Sequence, residues 1–257
     1  MKIELLPSTI EGGKVVNKQH LSCFVVDDEV AIDAGSLSFA CSKEQKENIR
    51  DVILTHAHID HIAGLPLFID DLFSDLETPV RVHAAEEVIE LLREHIFNWN
   101  IYPDFAELEN EFGPVLEYRA FDPGLEFEVG GIRVKAIPVN HKVPSYGFVI
   151  SRAGVTIALT GDTAEMVEFW AEIDEIKDLA ALFVECAFPN RLRDLAEVSH
   201  HLTPGALGRE LKLFTRPDCP VYAINLKPAY KEITEKEICE LGFENLSVLE
   251  VGTPYEF

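Results

Sequence analysis

Positive charge is scarce in this chain: 22 lysines and arginines stand against 45 aspartates and glutamates in 257 residues, a net charge of −23 at pH 7. A surface of that sign repels polyanions and argues against a long RNA or DNA partner. A single small anion remains compatible with it, because bound dications reverse the local potential. Cysteine is sparse and unpaired in pattern. Cys23, Cys41, Cys186, Cys219 and Cys239 are odd in number, widely spread and without a C-x-x-C pair, and read as reduced thiols, mostly in the core. No apolar run approaches the roughly 18 residues of a membrane span. The start, Met1-Lys2-Ile3-Glu4-Leu5-Leu6-Pro7, is too short and too acidic for a signal peptide, so a cytoplasmic protein without membrane association is expected. There is also no internal repeat, no low-complexity stretch and no long Gly/Lys-rich arm. What is present is an ordinary globular composition, 47% hydrophobic, in a chain long enough to bury a full core as one large domain or two fused halves.

Histidine is concentrated rather than abundant. In His56-Ala57-His58-Ile59-Asp60-His61, four of six residues are metal-ligand types, spelling H-x-H-x-D-H directly after the apolar run Val52-Ile53-Leu54. Imidazole and carboxylate suit a borderline divalent ion such as zinc. Alternate residues of an extended segment point the same way, so His56, His58 and Asp60 can converge while His61 faces elsewhere. Divided between two ions about 3.5–4 Å apart, the run would supply one from His56 and His58 and the other from Asp60 and His61.

The surrounding pattern places this run between a strand and a helix. Cys23-Phe24-Val25-Val26 and Val30-Ala31-Ile32 read as a hairpin, and Gly64-Leu65-Pro66 leads into a helix through Phe73. Val80-Arg81-Val82-His83 is a short strand and 85–97 carries a helical apolar stripe. From 98 to 114 the pattern turns irregular and aromatic, which suggests an inserted loop over a site. Strands follow at 125–129, 132–137, 146–150 and 155–159. The last third alternates a strand at 182–184, a helix at 204–214, a strand at 221–224, a helix at 232–241 and a final strand at 247–251. Such an order predicts an α+β sandwich of sheets with helices on its outer faces. His141, Asp162 and Glu185 fall at carboxyl ends of strands, on the same rim as His56. Taken singly, His141 could be a surface histidine and Asp162 a turn or helix cap.

The H-x-H-x-D-H run, an isolated His141 and Gly161-Asp162-Thr163 together resemble the metallo-β-lactamase superfamily, and Asp33-Ala34-Gly35-Ser36 matches that superfamily's early structural aspartate turn. The resemblance implies a four-layer αββα sandwich, two mixed sheets flanked by helices, formed by one domain over 1–257 with an insertion at about 85–118. It also implies a dinuclear site between the sheets, with His56, His58 and His141 on one ion, Asp60 and His61 on the other, and Asp162 bridging. The iron-binding branch usually has Glu where this chain has His58, which favours two zinc ions, with manganese, magnesium or iron as alternatives.

Within the superfamily, Leu92-Arg93-Glu94-His95-Ile96-Phe97-Asn98, Phe183-Val184-Glu185-Cys186-Ala187-Phe188-Pro189, His201-Leu202-Thr203-Pro204 and Leu226-Lys227-Pro228 resemble class II cyclic-nucleotide phosphodiesterases. That likeness implies a cytoplasmic hydrolase of 3′,5′-cyclic nucleotides. Asp60 would hold the nucleophile, and Glu185 and His201 would form an acid pair that protonates the departing alkoxide. Lys227 would contact phosphate, and Asn98, with Trp99 and Tyr102, the base. The expected partner is a small anionic molecule, and a homodimer is left open. Where the family's last strand ends in a ligand histidine, this chain has Asn225. An amide oxygen is a weaker ligand for zinc and suits harder ions, so the second ion is expected to be loosely held, to be manganese or magnesium, or to be absent, with His200 or His201 as substitutes. The alternatives are a tRNA 3′-processing endonuclease, disfavoured by the charge, a lactone or thioester hydrolase, and a nucleotide-binding protein that has lost catalysis.

Overall fold

Short runs of β-branched and aromatic residues make strands here because they pack side by side on a pleated surface, and two sets of seven do so. The computed structural model describes residues 1–257. In the first sheet the order, edge to edge, is Leu116–Ala120, Val80–Ala84, Asp51–Ile53, Val30–Ile32, Phe24–Val26, Lys2–Leu5 and Pro254–Glu256. Its first four strands are parallel, and the remaining pairings are antiparallel. The second sheet runs Glu126–Val129, Ile132–Pro138, Tyr146–Arg152, Val155–Leu159, Leu179–Glu185, Val221–Ile224 and Leu246–Val248. It is antiparallel over its first four strands and parallel over its last four. Both sheets are therefore mixed, as the sandwich expectation requires.

The strand Leu179–Glu185 shows how the layers are built. Ala181 and Phe183 join the apolar core shared with the first sheet, and Phe183 meets Phe24 across the gap at 6.0 Å between ring centroids. Leu182 and Val184 point the other way, into a second core with Phe169, Trp170, Leu207 and Ile238 from the helices behind. A strand buried on both faces reads as a continuous apolar run, and this one does. On the outer face of the first sheet lies the helix Leu65–Leu72, which buries Leu65, Phe68, Ile69 and Leu72 at helical spacing. Beside it Glu86–His95 carries Glu86 and Glu87 in its first turn and Arg93 and His95 in its last, matching the helix dipole.

Several expectations need correction. The histidine run is not extended throughout: His58 caps a helical turn, Ile59–Ile62, so Asp60 and His61 leave the alternating pattern. The helix at 204–214 stops at Glu210, ahead of the Thr215-Arg216-Pro217 segment, where Arg216 is drawn onto the carbonyls of Lys177 and Asp174 at 2.8 Å each. Leu246–Val248 is not the final strand. Pro254–Glu256 crosses back to the first sheet and pairs with Lys2–Leu5, a contact that local pattern does not encode. The segment 98–114 is not structureless; it holds a short turn of helix, Phe105–Glu107, and the small hairpin of Glu109–Asn110 with Gly113–Pro114. It is seated on the helix Leu65–Leu72 and its end, with Tyr102 donating to Asp70 at 3.2 Å and Asn110 to the carbonyls of Phe73 and Leu76 at 2.7 and 2.9 Å.

Candidate metal centre

The strand Asp51–Ile53 delivers His56 to the seam between the sheets, and the turn that follows presents His58, Asp60 and His61. That turn is locked to an earlier one. Ala34 donates to the His61 carbonyl at 2.7 Å, Ser22 to the Asp60 carbonyl at 2.8 Å, and Gly35 to the Ser22 carbonyl at 2.8 Å. A Cβ on Gly35 would lie 1.9 Å from the Asp60 carbonyl oxygen, so only glycine permits this approach. Opposite, the ends of second-sheet strands supply His141, Asp162, Glu185 and Asn225.

Four imidazoles crowd together: His56 lies 4.6 Å from His58, 4.2 Å from His61 and 4.9 Å from His141, centroid to centroid. The outer nitrogens of His56, His61 and His141 are fixed. Asp33, held at φ 59°, accepts from the Thr55 backbone and hydroxyl at 2.9 Å and from His61 Nδ1 at 2.6 Å. With its proton given to Asp33, the Thr55 hydroxyl accepts from His56 Nδ1 at 2.9 Å. His141 Nδ1 donates to the His200 carbonyl at 2.9 Å. For His56 and His141 a protonated outer nitrogen leaves a bare inner one, the orientation that metal-binding histidines require, whereas Asp33 and Asp162, against the cost of burial, hold the His61 pKa well above its ordinary value.

The inner nitrogens have no protein partner suited to them. Nε2 of His56 and of His61 are buried without any hydrogen-bond partner, a costly arrangement for a purely structural residue. His58 Nδ1 and His141 Nε2 face one another at 3.2 Å. Burial pushes His141 down to about 4 and His56 well below its ordinary value, so both rings are neutral near pH 7 and their lone pairs are available. His56, His58 and His141 form one group able to converge on a cation, and His56, His61 and Asp162 form another. These residues fit a divalent ion.

The rest of the cluster is more constrained. Asp162, 3% exposed, accepts from the Asn225 amide at 2.6 Å and lies 3.5 Å from His61 Nε2. The Lys227 ammonium is 3.4 Å from Asp60 Oδ2 and 3.5 Å from Asn225 Oδ1. Burial alone would lower its pKa, but Asp162, Asp60 and Glu185 hold it above the usual lysine value. Glu185, fully buried, accepts from His201 Nδ1 through one oxygen and from the Leu202 backbone at 2.7 Å through the other. Against the cost of burial, that carboxylate raises the pKa of His201.

Two candidates stay apart from the cluster. The Asn98 amide is spent in its own turn, donating to the Glu94 carbonyl at 2.7 Å and accepting from Asn100 and Ile101 at 3.0 and 2.9 Å. Trp99 bonds Glu107 at 2.9 Å. His200 caps the helix Arg193–Ser199 in the left-handed region and turns its ring to Asn140 at 3.0 Å, so its carbonyl, not its ring, serves the site. Four neighbours were not singled out from sequence. Thr55 directly precedes His56, which is the only signal it carries. Phe188 lies 5.6 Å from the His201 ring and 6.3 Å from Tyr230, and Arg191 stands 5.5 Å over Tyr230. Nothing local marks Tyr230 as a partner of either.

A family model described as the beta-lactamase superfamily domain matches residues 31–215. The chain is 25% identical over 211 residues to a probable 3′,5′-cyclic-nucleotide phosphodiesterase of Yersinia pestis, covering 73% of this chain and 60% of that protein. It is 28% identical over 185 residues to a 3′,5′-cyclic-nucleotide phosphodiesterase of Aliivibrio fischeri, covering 65% and 54%. The match thus spans little more than half the length of these curated relatives. Among solved structures, unliganded yeast PDE1 superposes with a TM-score of 0.77 over 98% of both chains at 18% identity, a likeness of fold. No helix is long and apolar enough to cross a membrane.

Proposed function

Since the chain belongs to the beta-lactamase superfamily, matched over residues 31–215, we propose that it is a metal-dependent hydrolase of phosphodiesters, with a 3′,5′-cyclic nucleotide as substrate. The observation that carries this is the buried Glu185–His201 pair beside the imidazole cluster. A thioester releases a thiolate that departs without help, whereas a ribose alkoxide needs a proton, and an imidazole kept protonated by a carboxylate supplies one. The names of the matched relatives support the same substrate class, and a net charge of −23 disfavours a tRNA.

His56, His58 and His141 would hold the ion, which when bound polarises the phosphoryl oxygen and lowers the pKa of water. Asp60 holds the attacking water by a carboxylate oxygen and takes its proton, and Lys227 meets a non-bridging phosphate oxygen. As the new P–O bond forms and the P–O3′ bond breaks, His201 passes its Nε2 proton to the leaving oxygen, with Nδ1 anchored on Glu185. Phe188 and Tyr230, rather than Asn98, offer the base an aromatic face. Hydrolysis of 3′,5′-cyclic AMP by protein as purified, after chelation and after zinc or manganese is returned, tests this. Turnover should fall at least 100-fold on chelation, the scale of losing the ion's electrostatic stabilisation, and recover on metal addition. No turnover with any metal, or turnover indifferent to chelator, would overturn it.

A further inference from the structure

The two sides of the centre are unequal in uncommitted donors. On one side His56, His58 and His141 each present an inner ring nitrogen that no hydroxyl, amide or carboxylate claims. On the other side His61 Nε2 faces Asp162 Oδ1 at 3.5 Å. Asp162 Oδ1 is taken by the Asn225 amide at 2.6 Å, while Asp60 Oδ2 and Asn225 Oδ1 both face the Lys227 ammonium, at 3.4 and 3.5 Å. The orientation of the Asn225 amide follows from its neighbours, since its NH₂ must meet the Asp162 carboxylate and its oxygen the ammonium. The backbone holds it there: Asn225 sits at φ 60°, a region asparagine tolerates, and its N–H donates to Gln19 Oε1 at 2.9 Å.

We propose that this chain binds one divalent ion tightly, on His56, His58 and His141, and that the Lys227 ammonium, positioned by Asn225 and Asp60, takes the place of a second ion as a built-in cation. The asparagine acts as a spacer: one end of its amide occupies Asp162 Oδ1, and the other seats the lysine. Lys227 supplies a fixed single positive charge to the phosphate without exchanging with solvent metal. A second ion can enter only by expelling that ammonium from between Asp60 and Asn225.

The inference rests on the metal-dependent hydrolase proposed above, and one set of samples separates the two. Chelator-stripped protein is titrated with Co²⁺ and with Zn²⁺, stoichiometry is read by elemental analysis after gel filtration and by the cobalt visible spectrum, and cyclic AMP turnover is followed in parallel. The unmodified chain should retain one equivalent. The double variant Asn225→His with Lys227→Met should retain two, and Lys227→Met alone should show a second, weaker equivalent. One ion without turnover supports the inference and rejects the substrate; one ion with turnover supports both. Two equally tight ions in the unmodified chain, or only one in the double variant when its circular dichroism is native, would overturn the inference alone. No retained ion in the unmodified chain would overturn both.

Discussion

Replacing Glu185 by glutamine isolates the proton-donating role assigned to His201. The carboxylate is fully buried and bonds both His201 Nδ1 and the Leu202 backbone, so glutamine keeps the volume and an acceptor while removing the charge. A hydrogen bond to a charged group contributes about 1.5–3 kcal/mol and a neutral one about 0.5–1.5, so roughly 1–2 kcal/mol of support for the imidazolium disappears. That amounts to about one pKa unit. Because the folded pKa of His201 lies above its ordinary value, the protonated acid persists to higher pH in the unmodified chain and is lost as pH rises through it. In the variant the basic limb of the kcat profile should move to lower pH by about one unit. At neutral pH, turnover of cyclic AMP should fall about tenfold, the loss of protonated imidazole that a one-unit shift produces. Bis(p-nitrophenyl) phosphate provides the control, since p-nitrophenolate leaves without protonation; its hydrolysis should fall less than about twofold. Equal losses on both substrates, with the pH limb unmoved, would refute the acid role and leave Glu185 as a packing residue.

Gly35→Ala places a methyl 1.9 Å from the Asp60 carbonyl oxygen, so the turn bearing Asp60 and His61 must shift by more than 1 Å. Chelator competition should show metal affinity reduced at least tenfold at native far-UV circular dichroism, and unchanged affinity would contradict the strict packing. Away from the centre, Asp51 is buried; that burial is outweighed by bonds to His83 at 2.8 Å and Arg81 at 2.7 Å, which hold its carboxyl at about 2. A depressed carboxyl stabilises the fold above its unfolded pKa and stops doing so as pH falls through the folded one. Asp51 should thus contribute roughly 2 kcal/mol at neutral pH, lost between about pH 4 and 2. Urea melts at pH 7 and pH 3 should therefore differ less for Asp51→Asn than for the unmodified chain.

Much of the centre was legible because its chemistry is dense and local. The six residues 56–61 carry four ligand types, and no core function accounts for them. His141, Asp162 and Glu185 were reachable from a second regularity, since each ends a recognisable strand. The geometry beyond that was not. The helical turn Ile59–Ile62 is set by contacts with the Asp33–Gly35 turn, which lies 22 or more positions earlier, so no local pattern announces it. Aromatic content suggested that Asn98 and Trp99 cover a ligand, but their polar atoms close on Glu94 and Glu107 within the same segment. That Asp60 and Asn225 flank the Lys227 ammonium has no local signal, since Asp60 lies 167 positions away. The strand Pro254–Glu256 is three residues long, below the length at which alternation is informative, and its partner is Lys2–Leu5 at the far end of the chain.

The imidazoles that converge at the centre come from different sheets: His56 and His58 follow a strand of the first, His141 a strand of the second. Neither half alone brings His56, His58 and His141 together, so that three-nitrogen site comes into being only when the two layers have docked. Metal affinity is then a record of completed assembly. A chain with one sheet formed and the other still loose would compete poorly for a scarce divalent ion, and ion capture would draw the folding equilibrium toward the joined state.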